Sequence, residues 1–506
     1  MVAVLLVPQA IAYAYLAGMP PQYGLYAAIV PIIIYSLLGT SPHLAVGPVA
    51  ISALLILAGV SKLADPFSNR YIELTIFAGL LIGFVQLLLG MIKMGKYVNL
   101  LSFPVITGFT SAASIIIIIS QLKDVFGIQV PHFDFLYETV MHILNNINGI
   151  HLLTFIIAVS SFVLIFLLKK INRRIPSGLI VVSIGIAFSY FLELESKGVN
   201  IIGFVPSGLP TFEIPTLSIK DTISLLPTVF LVAFIGLIEA IGIAKAIENK
   251  NHHYEINTNQ ELVALGASKV GGSFFGALPT SGSFSRSALL HETKAKTTIA
   301  SLVTVIFVVL ALLYLTPLLF YLPKVILAVI IIYAVKNLFE YNLAKKIFKI
   351  HGFDFAVMLI TFLVTLLVSI EIGVATGFIF SFFTLFKSRK GKMNEFAKIF
   401  SQKYHKDIYF SEESSDDPVT TLIVQNNLHF GKAEYFKETI KNKISENDQI
   451  KVLNIQFQTD SDIDTSTIKT IEEVQKLLKS KGIDHNVTAT NQKITQRLQA
   501  SNIKIN

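Results

Sequence analysis

LAVGPVAISALLI (residues 44–56) sets a Gly–Pro pair at the head of an apolar helical run too short to cross a bilayer. Pro48 has no N–H and fits the first turn of a helix beginning near Gly47. Such a start leaves backbone N–H groups unpaired inside the hydrocarbon unless something accepts them. A helix N-terminus carries a partial positive charge, so an anion is the natural acceptor. LPTSGSFSRSALL (278–290) repeats the pattern: Ser281 and Ser283 are good N-cap types, and Pro279 keeps the preceding chain extended. Two such ends facing each other at mid-membrane make an anion site without a bound metal. The alternative is ordinary kinks in packed helices, with glycine allowing close contact.

The rest of the chain supports a membrane setting. Its 506 residues are 53% hydrophobic and 15% charged, with a mean hydropathy of +0.64, against roughly a quarter charged in soluble proteins. That excludes an ordinary cytosolic enzyme. Zero cysteines exclude a disulfide framework, thiolate metal sites and cysteine nucleophiles. The net charge of +8 first suggests nucleic acid, but about +9 of it falls in residues 1–392 and the tail is near neutral. The excess therefore reads as membrane topology, with no nucleic-acid partner.

About fourteen segments are apolar enough to be membrane elements. The clear ones are 71–94, 97–122, 150–171, 223–247, 297–315, 316–337 and 354–387, the last broken at Gly373 into two. Shorter runs lie at 1–17, 24–38, 44–60, 176–193, 259–276 and 282–290. No secretory signal pattern is present, and the first span begins at Met1. With the N-terminus inside, the inner loops and exit segment hold about 18 lysines and arginines and the outer loops 6. This predicts a multi-pass protein of the cell (plasma) membrane with its C-terminal domain in the cytoplasm. Residues 1–388 form the membrane domain, 389–418 a linker and 419–506 a small α/β domain. In the tail, TTLIVQ and KVLNIQF alternate with the helical patterns AEYFKETIKNKI and STIKTIEEVQKLLKSKG.

The membrane half has an internal echo. Gln9 in the first span precedes LAVGPVA (44–50), and Glu239 in the eighth span precedes SGSFSRSA (281–288). Paired interrupted segments in corresponding positions point to an inverted-repeat transporter site, with halves at about 1–195 and 220–388. Arg286 within a membrane segment costs roughly 2.5–3.5 kcal/mol on insertion scales, so it faces a cavity, an anion or a partner such as Glu239. Glu239 reads as a proton carrier or cation ligand, or as that salt-bridge partner. Gln9 suits an oxyanion or a helix–helix hydrogen bond. Tyr13, one turn later on the same face, reads as packing or ligand contact. No phosphate-binding glycine loop and no metal spacing of histidines occurs. An enzyme, a resident metal and a cofactor are therefore not expected.

At this point the residues resemble a known family. LLVPQAIAYAYLAGMPPQYGLYAAIVPIIIYSLLGTSPHLAVGPVA (5–50) is similar to the opening of the sulfate permease (SulP) anion transporters. NQELVALGASKVGGSFFGALPTSGSFSRSA (259–288) resembles their ninth and tenth helices, and the tail resembles the STAS domain that follows in them. The resemblance covers essentially the whole chain. It implies a polytopic all-α membrane domain of about 14 helices in a 7+7 inverted repeat, split into core and gate domains, plus the cytoplasmic α/β STAS domain. It also implies homodimers and a cytoplasmic protein partner of the STAS domain. The implied anion-lining residues are Gln9 and Tyr13, Gly47, Pro48, Val49 and Ala50, and Ser283, Phe284, Ser285 and Arg286. Glu239 falls on the acidic position linked to cation coupling.

Three departures sharpen the expectation. Relatives carry further residues ahead of helix one, which here has about 17 residues, short for a full span. Sodium-coupled relatives pair an acid with a hydroxyl one turn later; here the positions read Glu239 and Ile243, and isoleucine cannot ligate sodium, which favours protons. The STAS loop DIDTST (462–467) has Thr467 where many relatives have Gly or Ala. Thr465 or Ser466 would accept phosphate as in anti-sigma-factor antagonists, or the loop simply caps a helix starting at Thr467 through Asp464 or Thr465. Because IEAIGIAKA (238–246) resembles sulfate-type members, the expected function is a proton-coupled secondary transporter of a small oxyanion, first sulfate, by alternating access. Bicarbonate or C4-dicarboxylate transport is the next reading. An uncoupled channel or exchanger on the same fold and a non-transporting sensor follow.

Overall fold

The computed structural model describes residues 2–95, 102–131, 133, 135–172, 175–215, 218–251, 254, 256–293, 295–339, 341–387, 408–410, 419–425, 428, 430–447, 449–459, 463–501 and 503. The first half of the membrane domain contains α1 (Val2–Leu16), α2 (Pro21–Tyr26), α3 (Val30–Leu38), β1 (Val46–Gly47), α4 (Ala50–Val60), α5 (Asn69–Met91), α6 (Phe103–Phe126), α7 (Leu136–Asn145), α8 (Leu152–Ile171) and α9 (Ser177–Phe191). The second contains α10 (Ile219–Asn251), α11 (Thr258–Ser273), β2 (Ser281–Gly282), α12 (Phe284–Glu292), α13 (Ile299–Leu310), α14 (Thr316–Leu319), α15 (Lys324–Val335), α16 (Tyr341–Ile350), α17 (Gly352–Leu367) and α18 (Ile370–Lys387). Among the described residues, six stretches are long and apolar enough to cross a membrane, and six shorter helices are apolar enough to take part. With α11 and α12 they make two sets of seven. α2–α3 and α13–α14 each count as one member.

The sequence pattern missed two helices, α7 and α16, each following the fifth membrane element of its half. Both are ten residues long and strongly two-faced, which hides them from a search for uniformly apolar runs. Two boundaries also differ. The run expected at 316–337 is cut, because Pro317 is absorbed in a wide π turn over Ala311–Leu315 that carries the helix on to Leu319, and a new helix starts behind Pro323. The break expected at Gly373 lies at 368–369; a Cβ on Gly373 would stand 2.0 Å from Thr365 Oγ1, so this glycine serves packing.

The chain divides into two compact units. The larger comprises Met1–Val98, Ala113–Phe339 and Leu366–Glu371. Its helices α5 and α11 pack closely: a Cβ on Gly266 would fall 2.4 Å from the Leu87 N. Here β1 pairs antiparallel with β2, Val46 opposite Gly282 and Gly47 opposite Ser281. An antiparallel pair maps onto itself under a two-fold axis, as an inverted repeat requires.

The second unit comprises Asn99–Ala112, Glu340–Thr365 and Ile372–Asn506. Its sheet runs β3 (Ile408–Phe410), β4 (Val419–Val424), β5 (Val452–Phe457), β6 (Asp484–Ala489), parallel except for the antiparallel edge β3. The edge strand lies inside the expected linker; most of that linker is outside the described residues. Helices α19 (Phe430–Glu446), α20 (Thr465–Ser480) and α21 (Gln492–Ala500) complete the domain. Alternation along β5 turns Leu453, Ile455 and Phe457 inward onto Phe436, Ile440, Ile471 and Val474.

Candidate functional site

The two interrupted helices meet through the β1–β2 pair. Ser283 N donates to Ala45 O at 3.0 Å, and Ala45 N to Ser287 Oγ at 2.8 Å. The pairing fixes both helix starts. α4 begins at Ala50, not near Gly47, because Gly47 takes φ +154° in the strand and Pro48 precedes the extended N-cap Val49. Its first helix bond beyond the cap is Ala53 N to Val49 O at 3.1 Å. In α12 the N-cap is Ser283, and Ser287 N donates to Ser283 O at 2.9 Å. The amides of residues 50–52 and 284–286 are thus left over at two helix starts joined by one short pair of strands. Neither serine caps α12 with its side chain. Ser281 Oγ donates to Gly236 O at 2.8 Å, and Ser283 Oγ lies 3.4 Å from Ser285 Oγ.

Arg286 is fully buried at this junction. Its Nη1 donates to Gln9 Oε1 at 3.1 Å and its Nη2 to the Pro48 carbonyl at 3.0 Å. Its Nε–H is buried with no partner among the described residues. One side chain therefore ties helix one, the start of α4 and the start of α12 together, with the Nε–H to spare among the described residues. A Cβ on Gly47 would lie 3.2 Å from Nη2, in a backbone conformation that side chains rarely adopt. Pro48, Val49, Ala50 and Ser283 are buried, whereas Phe284 is 61% exposed and Ser285 is exposed.

The salt bridge between Glu239 and Arg286 does not form among the described residues: Arg286 holds Gln9 and Pro48 instead, and Glu239 Oε2 is buried with no hydrogen-bond partner. Glu239 and the buried Tyr13 lie within electrostatic reach of Arg286. The sequence-selected residues Gln9, Pro48 and Arg286 are in direct contact, with Gly47 against them. The helices that carry these residues, Tyr13 and Glu239 pack together: α1 on α4 and α12, and α10 on α4 and α12.

Sequence reasoning missed three supports. Glu261, fully buried, accepts from Tyr35 Oη (2.7 Å), Thr40 N and Oγ1 (2.6 Å each) and Ser41 N (2.9 Å). It pins the loop that delivers β1. Its one sequence signal is an acid in the first turn of α11, which usually reads as helix-end electrostatics. Lys269 is buried between helices, donating to Gln86 Oε1 at 2.8 Å and Leu265 O at 3.4 Å, while Gln86 Nε2 donates to Ala233 O at 2.7 Å. Ser287, the anchor for Ala45 N, is the third.

In the second unit, Asp464 is the N-cap of α20, accepting from Thr467 N at 2.7 Å. The helix starts at Thr465, two residues earlier than the sequence suggested. Both hydroxyl candidates sit at a junction with membrane helices. Thr465 N donates to Asp354 Oδ2 of α17 at 2.7 Å, and Ser466 Oγ accepts from Phe103 N, at the start of α6, at 3.1 Å. Each side caps a helix of the other. The Thr465 hydroxyl is buried without a partner among the described residues.

A membrane protein of two inverted seven-element halves, with paired half-helices around a buried arginine and an α/β tail, has the architecture of an anion transporter. Comparison with known proteins specifies the family. Residues 1–361 match the sulfate permease family and 412–504 the STAS domain. The chain is 31% identical over 513 residues to Sulfate transporter 4.1, chloroplastic, of Arabidopsis thaliana, covering 97% of this chain and 74% of the relative. It is 30% identical over 525 residues to High affinity sulfate transporter 2 of Stylosanthes hamata, covering 99% and 79%. Its fold matches the murine Solute Carrier 26 family member A9 (Slc26a9) anion transporter in the inward-facing state, with a TM-score of 0.72 at 24% identity, over 98% of this chain and 85% of that one. It also matches the transmembrane domain of the cyanobacterial bicarbonate transporter BicA, with a TM-score of 0.65 at 22% identity, over 75% and 94%. The chain belongs to the sulfate permease family, whose members transport anions and are not enzymes.

Proposed function

We propose that this protein is a secondary transporter of a small oxyanion, sulfate first, coupled to protons and working by alternating access. The observation that carries the reading is the buried Arg286, which holds Gln9 and Pro48 and keeps a free Nε–H between two unsatisfied helix starts. Such a cluster supplies neutral amide donors and one fixed positive charge, which suits an oxyanion. Gln9, Tyr13, Gly47, Pro48, Val49, Ala50, Ser283, Phe284, Ser285 and Arg286 line the site in this reading. Glu239, with a buried oxygen lacking a donor, takes up the co-transported proton. Protonation at Glu239 offsets one of the two charges of sulfate during passage.

The sulfate transporters among its relatives support sulfate, and Ile243 beside Glu239 disfavours sodium. The lysine and arginine bias supports a plasma-membrane orientation with the STAS domain in the cytoplasm. Residues 1–195 and 220–388 are taken as the two inverted repeats, with a core domain shifting against a gate domain, and the protein as a homodimer whose STAS domain binds a cytoplasmic protein. The test is uptake into proteoliposomes of sulfate, bicarbonate, fumarate and chloride, with and without an inward proton gradient. Sulfate uptake driven by the gradient in the native protein, and indifferent to it in Glu239→Gln, is the expected result. Uptake equally indifferent to the gradient in both refutes the coupling, and uptake of another anion with no sulfate competition refutes the substrate.

A further inference from the structure

The helix α16 has two faces with different owners. Its ten residues rise about 15 Å, half of a bilayer core of about 30 Å, and it lies in sequence between the membrane elements α15 and α17. Unlike the uniformly apolar α4 of similar length, it is strongly two-faced and packs on the STAS core, which sets it along the membrane surface on the side of the STAS domain. On its inner face Ile347 and Ile350 are buried, and Ile350 is part of the STAS hydrophobic core with Leu422, Ile455 and Phe457. Lys346 Nζ pairs with Glu472 of α20 at 2.5 Å. On the opposite face Tyr341 (65% exposed), Lys345, Phe348 (61% exposed) and Lys349 fall within an arc of about 100° at 100° per residue. Among the described residues Lys345 and Lys349 form no ion pair. The ring of Phe348 meets Phe355, in the first turn of α17, edge-on at 5.0 Å.

The geometry points to this outer face as a binding surface for the headgroups of anionic phospholipids in the adjacent leaflet. Lys345 and Lys349, unpaired among the described residues, supply the charge complementarity. Two aromatic rings supply the amphipathic surface that settles at the headgroup level. The position between two membrane elements holds that face where the headgroups are. Because the other face of the same helix is built into the STAS core, headgroup binding steadies the STAS domain as well as the helix.

The test uses the full-length protein in nanodiscs of phosphatidylcholine alone or with phosphatidylglycerol. The readouts are lipid retained after mild delipidation, by native mass spectrometry, and amide hydrogen exchange across α16 and α20. The native protein should retain phosphatidylglycerol over phosphatidylcholine by about tenfold, consistent with a cluster of basic residues near the surface. Phosphatidylglycerol should slow exchange in both helices. Lys345→Gln/Lys349→Gln should lose both effects, while Lys345→Arg/Lys349→Arg should keep them, which separates lost charge from misfolding. Equal retention of the two lipids, exchange that ignores lipid composition, or a glutamine variant that behaves like the native protein would each overturn the proposal. So would full protection by glycerol phosphate in phosphatidylcholine discs, which would make the ligand a free phosphate ester.

Discussion

Arg286→Gln removes the one fixed charge at the convergence of α1, α4 and α12. The guanidinium is buried and donates to Gln9 Oε1 at 3.1 Å and to Pro48 O at 3.0 Å. Each negative charge of an oxyanion seated on the free amides at about 5 Å from that charge gains about 332/(20 × 5), or about 3 kcal/mol, at an effective dielectric of about 20. Removing the charge should weaken sulfate binding by at least about 100-fold. Arg286→Lys keeps the charge, but an ammonium cannot reproduce the two-pronged hold on Gln9 and Pro48, so a loss of about tenfold is expected. Binding is read from the sulfate-dependent thermal shift of purified protein, since a ligand selective for the folded state raises apparent stability. Transport is read from initial rates over a sulfate series in proteoliposomes. A folded Arg286→Gln protein that binds sulfate within about threefold of the native one would refute the charge argument. Equal losses in the two variants would show that the tether, not the charge, matters.

Glu261→Gln should lower stability by about 2–4 kcal/mol, because an amide cannot accept from all of Tyr35, Thr40 and Ser41. Thermal unfolding of the intact protein checks it, and an unchanged midpoint would refute the pinning role. Gly266→Ala drives a methyl to within 2.4 Å of the Leu87 N and should cost about 3 kcal/mol by forcing α5 from α11. Gly178→Ala, with nothing within 4 Å, should be neutral or slightly stabilising in the same assay.

The membrane class, the number of spanning segments and the alternating elements of the tail were all legible in the sequence. Each depends on local composition and on periods of two or 3.6 residues. Helices α7 and α16 escaped because a ten-residue helix with one polar face has neither the length nor the uniform apolarity of a span. Pro317 and Gly373 misled because the neighbours of each, a π turn for one and Thr365 for the other, determine whether it breaks a helix.

The site divides along the same line. Sequence by itself determined that Gln9, Glu239 and Arg286 lie in membrane segments, where burying polar groups is costly enough to mark them, and that two helices start behind Gly–Pro and Ser–Gly breaks. It left open whether Arg286 pairs with Glu239. Only the tertiary structure decided that the arginine turns to Gln9 and Pro48, 277 and 238 residues away in the chain, leaving Glu239 Oε2 without a partner among the described residues. It alone revealed Glu261 as the pin of the β1 loop and Ser466 as a cap on α6. The physical reason is the same in each case: a hydrogen bond across hundreds of residues depends on where helices pack, and no local pattern encodes that.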